Sequence, residues 1–272
     1  MAPMSNSLFS RIQRKAEKYA DRTRLTLFRR KYNRWPCLAT KRLVVGCESS
    51  GTTIIAKSLF GKGHLRFLVE GQQSWVWEAR SKIYQGLATF DDYPHLRLFD
   101  LWKVPGFAPV LPQLKLAYPN CSTIYVVRDP RDVIASTFRT FGIQNREDFA
   151  NVPWVKADWL SIQETDPIAR MAMRWRIYLE RSTQVDNVKY VRYEDFCEQK
   201  VKTIGELAEF LDLKIDPKFV ASICEQQASN KNTRSYTPHG PNSWQNVSAL
   251  TCQDIELVKQ TCQPYFSQWG YE

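Results

Sequence analysis

The run Gly46-Cys47-Glu48-Ser49-Ser50-Gly51-Thr52-Thr53 has the spacing of a phosphate-binding loop, with Thr52 standing where a nucleoside-triphosphate enzyme places its lysine. Leu43, Val44 and Val45 precede it and read as a buried strand, and Thr52 to Phe60 is apolar at helical spacing. The loop therefore joins a strand to a helix N-terminus. There, unpaired N–H groups and the helix dipole hold an anion, and glycine lets the backbone come close to it. A kinase or ATPase neutralises the β- and γ-phosphates with the loop lysine and magnesium. A sulfuryl group carries less charge than a phosphoryl group. Hydroxyls and amides around the donor phosphate then matter more than a metal, and Ser50, Thr52 and Thr53 supply hydroxyls.

A second constellation follows at Arg128-Asp129-Pro130-Arg131-Asp132-Val133-Ile134-Ala135-Ser136. Ser122 to Val127 is a β-branched run ending in Arg128, and Pro130 sits where a first helical turn begins. An arginine at a strand's carboxyl end and a serine one to two turns into the next helix converge on one phosphate, because ligands of open α/β sheets collect at those ends. Two phosphate sites on one sheet suggest a nucleotide phosphorylated at two places.

With these motifs the chain resembles the sulfotransferases that use 3′-phosphoadenosine 5′-phosphosulfate (PAPS). Family members carry a Ser-Gly-Thr-Thr-type loop for the 5′-phosphosulfate, an Arg-x-Pro-x-Asp-x-x-x-Ser segment for the 3′-phosphate and a later Tyr-Glu-Asp motif. Here these are Ser50 to Thr53, Arg128 to Ser136, and Tyr193-Glu194-Asp195 after the strand Val188 to Val191. Order and spacing agree over residues 41 to 250. The resemblance implies donor contacts from Ser49, Ser50, Gly51, Thr52, Thr53, Arg128 and Ser136, with adenine near Tyr193, and requires no metal.

Departures from the pattern sharpen the expectation. Cytosolic members have a lysine two residues before the loop glycine, and this chain has Ser49. The strand His95 to Lys103 aligns with the family strand that ends in a catalytic lysine, which makes Lys103 the candidate for stabilising the sulfuryl oxygens. Two positions on, the cytosolic histidine base is replaced by Pro105. Glycan-modifying members use a glutamate on the strand after the loop helix, and Glu70 at the end of Arg66-Phe67-Leu68-Val69 fits that place. Glu70 is thus the candidate base, with His64 and His95 as rivals. The usual Arg-Lys-Gly segment seven residues before the tryptophan, here Trp244, is absent, with Thr237, Pro238 and His239 in its place; Arg234 lies three residues before Thr237 and is the candidate for a displaced 3′-phosphate contact. Residues 229 to 247, rich in Asn, Ser, Thr, Pro and Gly, read as a lid.

The elements that must position these groups follow from the pattern. The expected fold is α/β, a three-layer P-loop-type fold with a mainly parallel central sheet flanked by helices. Its strands are Lys41 to Cys47, Arg66 to Glu70, His95 to Lys103, Ser122 to Arg128 and Val188 to Tyr193. Asp166-Pro167 reads as the cap and first turn of a helix bearing Ile168, Met171, Trp175 and Tyr178, and Asp254 to Phe266 as a terminal helix.

The 272 residues, 43% of them hydrophobic, suffice for one large core. Residues 41 to 272 are expected to form a single catalytic domain, preceded by a basic extension, residues 1 to 40. The net charge of +10 is uneven: ten Lys/Arg face only Glu17 and Asp21 in that extension. Phe9 to Lys31 reads as a basic amphipathic helix, packed on the core or a second subunit in a homodimer, or facing an acidic polymer or membrane. Nucleic-acid binding has no supporting aromatic motif. Seven cysteines without C-x-x-C or zinc spacing fit reduced thiols in a cytoplasmic enzyme, and no apolar stretch is long enough to span a bilayer. The acceptor is expected to be a small molecule. The acids Glu70, Glu78, Asp91, Asp92 and Asp100 hint at a cationic one, such as an alkaloid of the saxitoxin or cylindrospermopsin type, with a glycan as the alternative. A non-catalytic nucleotide-binding protein and a P-loop kinase stay open as other classes.

Overall fold

Arg42–Gly46 (β1), Phe67–Val69 (β2), Leu101–Lys103 (β3), Ser122–Val127 (β4) and Val188–Arg192 (β5) form one sheet in the order β2-β3-β1-β4-β5. The structure is a computed structural model that describes residues 40–60, 67–70, 74–157, 159–216, 218, 222 and 240–272. The basic extension up to residue 39, His64 and Arg234 lie outside the described residues. Every pairing is parallel, with Arg42 opposite both Leu101 and Ser122, Phe67 opposite Leu101, and Thr123 opposite Val188. All five carboxyl ends therefore open on one edge. The chain leaves β1 toward β2 and β3, then crosses to β4 and β5, so the strand order switches between β1 and β4, where such sheets bind ligands.

Alternation along the strands builds two cores, one on each face. Leu43, Val45, Tyr125 and Val127 face Val76 and Ala79 of Ser74–Tyr84 (α2), Leu114 of Leu111–Ala117 (α3), Ile134 and Phe138 of Pro130–Phe141 (α4), and Met171 and Trp175 of Pro167–Ser182 (α5). Val44, Ile124 and Val126 face Ile54 and Ile55 of Thr52–Phe60 (α1) and Ile204 and Leu207 of Lys200–Phe210 (α7), the latter preceded by Tyr193–Glu198 (α6). These are the three layers expected from the sequence. Asp166 caps α5 as its position suggests, accepting from the N–H groups of Ile168 at 2.9 Å and Ala169 at 3.0 Å. Asp129 does the same for α4, accepting from Arg131 N at 2.8 Å, and Gly142 ends that helix at φ 63°.

Two expected elements are shorter than their sequence pattern. Of the strand His95 to Lys103 only Leu101–Lys103 is strand, because Pro94 opens a 3-10 turn through Leu98. Lys103 keeps its place at the strand's carboxyl end. The terminal helix runs Cys252–Cys262 (α8), capped by Thr251 with Asp254, and stops before Pro264, which has no N–H with which to continue it, with Gln263 extended at ψ 150°.

Candidate functional site

The phosphate loop is built around Gly51, whose φ of +89° is open to glycine at little cost. A Cβ there would lie 2.3 Å from Tyr193 Cδ2, so the ring that begins α6 rests directly on the loop backbone. Ser50 N donates to Cys47 O at 3.1 Å, and the N–H groups of Ile54 and Ile55 both reach Gly51 O, which seats the loop on the first turn of α1. A helix leaves its first-turn N–H groups without carbonyl partners, and here those groups belong to the loop's end. Ser50 is wholly buried, and its Oγ has no hydrogen-bond partner among the described residues. A buried hydroxyl without a partner is costly unless a ligand satisfies it, and a phosphate oxygen at a helix N-terminus does so. Thr52 is buried and Thr53 half-buried beside it.

Arg128, at the end of β4, ties the two candidate phosphate motifs together. Its Nη1 donates to Ser49 O at 3.0 Å, and its guanidinium lies 4.4 Å from the centre of the Tyr193 ring. Ser136 is half-buried on α4 one turn before Arg139, which lies within reach of the Arg128 charge. Burial and then the like charge of Arg128 lower the Arg139 pKa, while its Nη1 and Nη2 donate to Ser243 O and Oγ. Ser49 adopts a positive φ of 68° and turns its hydroxyl toward Thr137 Oγ1 at 3.1 Å. Thr137 gives its own hydrogen to Val133 O, so Ser49 is the donor of that pair and has no hydroxyl hydrogen left for an anion. Thr137 and Arg139 carry no motif signature and escape sequence reading.

The second half of the site lies at the ends of β2 and β3. Glu70 N donates to Lys103 O at 2.9 Å, which brings the two candidate catalytic residues side by side. The Glu70 carboxylate, with 7% of the side chain exposed, meets Arg80 Nη1 of α2 at 2.7 Å. The same nitrogen reaches Glu48 Oε1 at 3.3 Å. Glu48 in turn takes a paired contact from Arg174, Nε to Oε2 and Nη2 to Oε1, both at 2.9 Å, and a hydrogen bond from the Tyr178 hydroxyl at 3.1 Å. Burial raises the Glu70 pKa, Arg80 opposes the shift, and Glu48 adds to it. For Glu48 burial acts upward too, but Arg174 and Arg80 outweigh it and hold the carboxyl down at about 2. Burial lowers the Lys103 pKa, and Glu70 and Glu48 push it back up. An acid inside an anion-binding loop was the one visible sign that cations must arrive from elsewhere; nothing in the sequence says that they are Arg80 and Arg174.

Residues 4–254 match the sulfotransferase domain. The chain belongs to the sulfotransferase domain family. Solved sulfotransferases share its fold: STF9 from Mycobacterium avium is 11% identical, with 91% of this chain and 82% of that one covered at a TM-score of 0.55. STF1 from Mycobacterium tuberculosis H37Rv is 12% identical, covering 94% and 86% at 0.53. Mouse SULT7A1, whose structure is complexed with PAP, is 15% identical, covering 83% and 86% at 0.51. No curated protein matches the sequence significantly.

In this sulfotransferase, Pro105 begins the 3-10 turn Pro105–Val110 that delivers Gly106 to the site. A Cβ on Gly106 would lie 2.1 Å from Arg80 Nη1 and 2.8 Å from Glu70 Oε1, so this glycine makes room for their contact. Trp77 and Trp159 take the Arg80 guanidinium at 3.9 and 4.9 Å from their ring centres. Trp75 instead joins Tyr93 and His95, whose imidazole packs edge-on at 4.2 Å from the Trp75 centre.

Asp132 holds the described end of the expected lid of the sulfotransferase. It accepts from Asn242 N at 3.0 Å, Ser243 Oγ at 2.8 Å and Trp244 N at 2.8 Å. Arg131 lies 4.7 Å from the centre of the Trp244 ring. The acids that hinted at a cationic acceptor each have partners of their own: Glu78 with Lys82, Asp91 with Arg97, Asp100 with Lys41, and Asp92 capping at Thr89. They form no free anionic patch. Among the described residues no group of three or more His, Cys, Asp and Glu side chains is placed to hold a metal, and no helix is long and apolar enough to cross a membrane.

Proposed function

We propose that this sulfotransferase moves the sulfuryl group of PAPS to a hydroxyl or amine of a small molecule, leaving adenosine 3′,5′-bisphosphate. The observation that carries the reading is the bond from Arg128 to Ser49 O, which joins the phosphate loop after β1 to the second phosphate motif after β4. Two anion sites so joined fit a nucleotide phosphorylated at both ends of its ribose. Ser50, Thr52, Thr53 and the amides around Gly51 would hold the 5′-phosphosulfate, Arg128 and Ser136 the 3′-phosphate, and Tyr193 the adenine side. Ser49 would contribute through its backbone alone. Arg234 stays a proposed 3′-phosphate contact, tested by Arg234→Ala.

The donor, when bound, supplies an activated sulfur–oxygen bond. Glu70 takes the acceptor's proton as the acceptor oxygen or nitrogen bonds to sulfur, and passes that proton to water afterwards. Lys103 and the loop amides stabilise the negative charge gathering on the sulfuryl oxygens and on the bridging oxygen as its bond to sulfur breaks. Desolvation of Glu70 strengthens its basicity, and desolvation of Lys103 lets its charge act undamped.

Acceptors of the saxitoxin or cylindrospermopsin type remain the narrowest form of this reading. They lose the support of the acidic patch, since its members are already paired, and turnover of a neutral alcohol or a glycan but not of such alkaloids rejects them. The unpaired thiols of Cys47, Cys121, Cys197, Cys252 and Cys262 fit a cytoplasmic setting. The division into a basic extension, residues 1–40, and a catalytic domain, residues 41–272, goes with this reading, as does a homodimer through that extension; light scattering on the whole chain reads the latter.

A non-catalytic nucleotide-binding role is the second reading, because Ser49 and Pro105 stand at two positions that cytosolic members use catalytically. The deciding experiment is metal-free calorimetry of adenosine 3′,5′-bisphosphate against ADP and ATP on wild type and Arg128→Ala, followed by PAPS turnover. Preference for the bisphosphate that falls about tenfold to a hundredfold in the variant supports the donor site, since a charge-assisted bond is worth about 1.5–3 kcal/mol. Preference for ATP with magnesium reopens the kinase reading. Glu70→Gln and Lys103→Ala must each lower transfer; bisphosphate binding with no PAPS turnover even in wild type would mean that the protein binds nucleotide without catalysis.

A further inference from the structure

We propose that Arg80 is the positioning residue of proton transfer: its Nη1, held from behind by Glu48, spans two carboxylates and fixes Glu70 as the group that receives the acceptor's proton. The inference rests on Glu70 being the base. It concerns a residue on α2 for which neither phosphate motif has a use.

The geometry supports a bridge and not an ordinary surface pair. A guanidinium nitrogen of the Nη type carries two hydrogens, and Arg80 Nη1 has one carboxylate oxygen at 2.7 Å and another at 3.3 Å. Its side chain is 2% exposed, and two indole rings cover the guanidinium. Glu48 is prevented from drawing Arg80 away because Arg174 and Tyr178 already occupy both of its oxygens. Arg80 therefore keeps one hydrogen for Glu70 in a fixed direction. Gly106 completes the fit, since any side chain there would enter the space between Arg80 and Glu70.

The charges around Glu70 define what Arg80 contributes. Those facing it are Arg80 from α2, Glu48 from the phosphate loop, Lys103 from β3 and the N–H of Gly106; Arg174 stands behind Glu48, and Lys57 of α1 acts on Lys103. Without Arg80, two buried carboxylates would confront each other, and Glu70 would hold a proton to higher pH. An opposite charge in contact lowers a carboxyl pKa by about 1–3 units, so its loss raises the pKa by a similar amount. A protonated Glu70 cannot take a proton from the acceptor. Arg80 thus keeps the base available, while burial keeps it basic.

The test compares the pH dependence of kcat/KM for wild type, Arg80→Gln, Arg80→Lys and Gly106→Ala. The acidic limb should move up by about one pH unit or more in Arg80→Gln, with activity lost at low pH and largely regained at high pH. Arg80→Lys, which keeps the cation, should undo most of the shift. Gly106→Ala removes no charge and should still move the limb upward by wedging the pair apart, which covers the case in which Arg80→Gln does not fold. A titration of the Glu70 carboxyl by carbon-13 NMR on the full chain without donor, assigned through Glu70→Gln, should show the same upward shift. Equal loss at every pH, or an unmoved Glu70 titration in variants that still bind adenosine 3′,5′-bisphosphate, overturns the proposal. Failure of the underlying reading looks different: Glu70→Gln would then transfer sulfuryl groups at the wild-type rate.

Discussion

The ring of Tyr193 covers Gly51 so closely that no β-carbon fits between them, and the same ring carries the Arg128 guanidinium on its face. One aromatic side chain thus fixes both the phosphate loop and the arginine of the second motif. Gly51→Ala must displace that ring and also hold alanine at φ +89°, which costs about 1–2 kcal/mol before any contact is lost. The expected result is a fall of at least about tenfold in affinity for adenosine 3′,5′-bisphosphate, measured by calorimetry. Affinity within twofold of wild type would mean that the ring does not organise the loop.

Glu48 should govern stability at low pH. Its folded pKa of about 2 lies below the ordinary carboxyl value of 4.5, so its contribution is complete above pH 4.5 and is lost as pH falls toward 2. Glu48→Gln removes that dependence and leaves Arg174 buried beside a neutral group, with Arg80 keeping Glu70 alone, at a cost of about 3–5 kcal/mol. Urea denaturation at pH 7 and at pH 3 reads both effects. A destabilisation that is the same at both pH values would show that the Glu48 charge is not what matters.

Asp132 gathers three hydrogen bonds from residues 242 to 244. Asp132→Ala should free this segment, so that the amides of Asn242 and Trp244 exchange with solvent at least about tenfold faster while the strands keep their protection. Bisphosphate should no longer slow exchange there if the lid closes through this anchor. Unchanged exchange at Trp244 would assign the anchoring to Arg139 and its bonds to Ser243 instead.

The layers, the parallel sheet and the strand-to-helix loops that carry both candidate phosphate motifs were legible because each is written in consecutive residues. β-branched runs end in a glycine loop or an arginine, and Asp-Pro pairs open the helices that follow. Lys103 and Glu70 were locatable for the same reason, as strand ends at a set distance from the loop. What could not be read is whatever folding brings from afar. Glu48 meets Arg174, and Ser49 loses its hydrogen to Thr137, through contacts that no local pattern encodes. The acids after the loop misled in the opposite sense: counted in sequence they form a negative cluster, yet in the fold each answers a cation or a backbone N–H of its own. Proline misled by its local authority, since Pro94 turns the first residues of an expected strand into a 3-10 turn and Pro264 stops a helix whose pattern continues past it.

The dependence of Glu48 on Arg174 and Tyr178 sets an order for events on the ribosome. All the residues of the phosphate loop are synthesised long before these partners, and until they emerge the loop must either keep its acid in water or leave it protonated. Limited proteolysis of ribosome-arrested chains should find the loop open to cleavage when Arg174 is still in the exit tunnel and shielded once the whole of α5 is outside. The proposed nucleotide site is then among the last parts of the nascent chain to mature, although its signature is among the first parts to be translated.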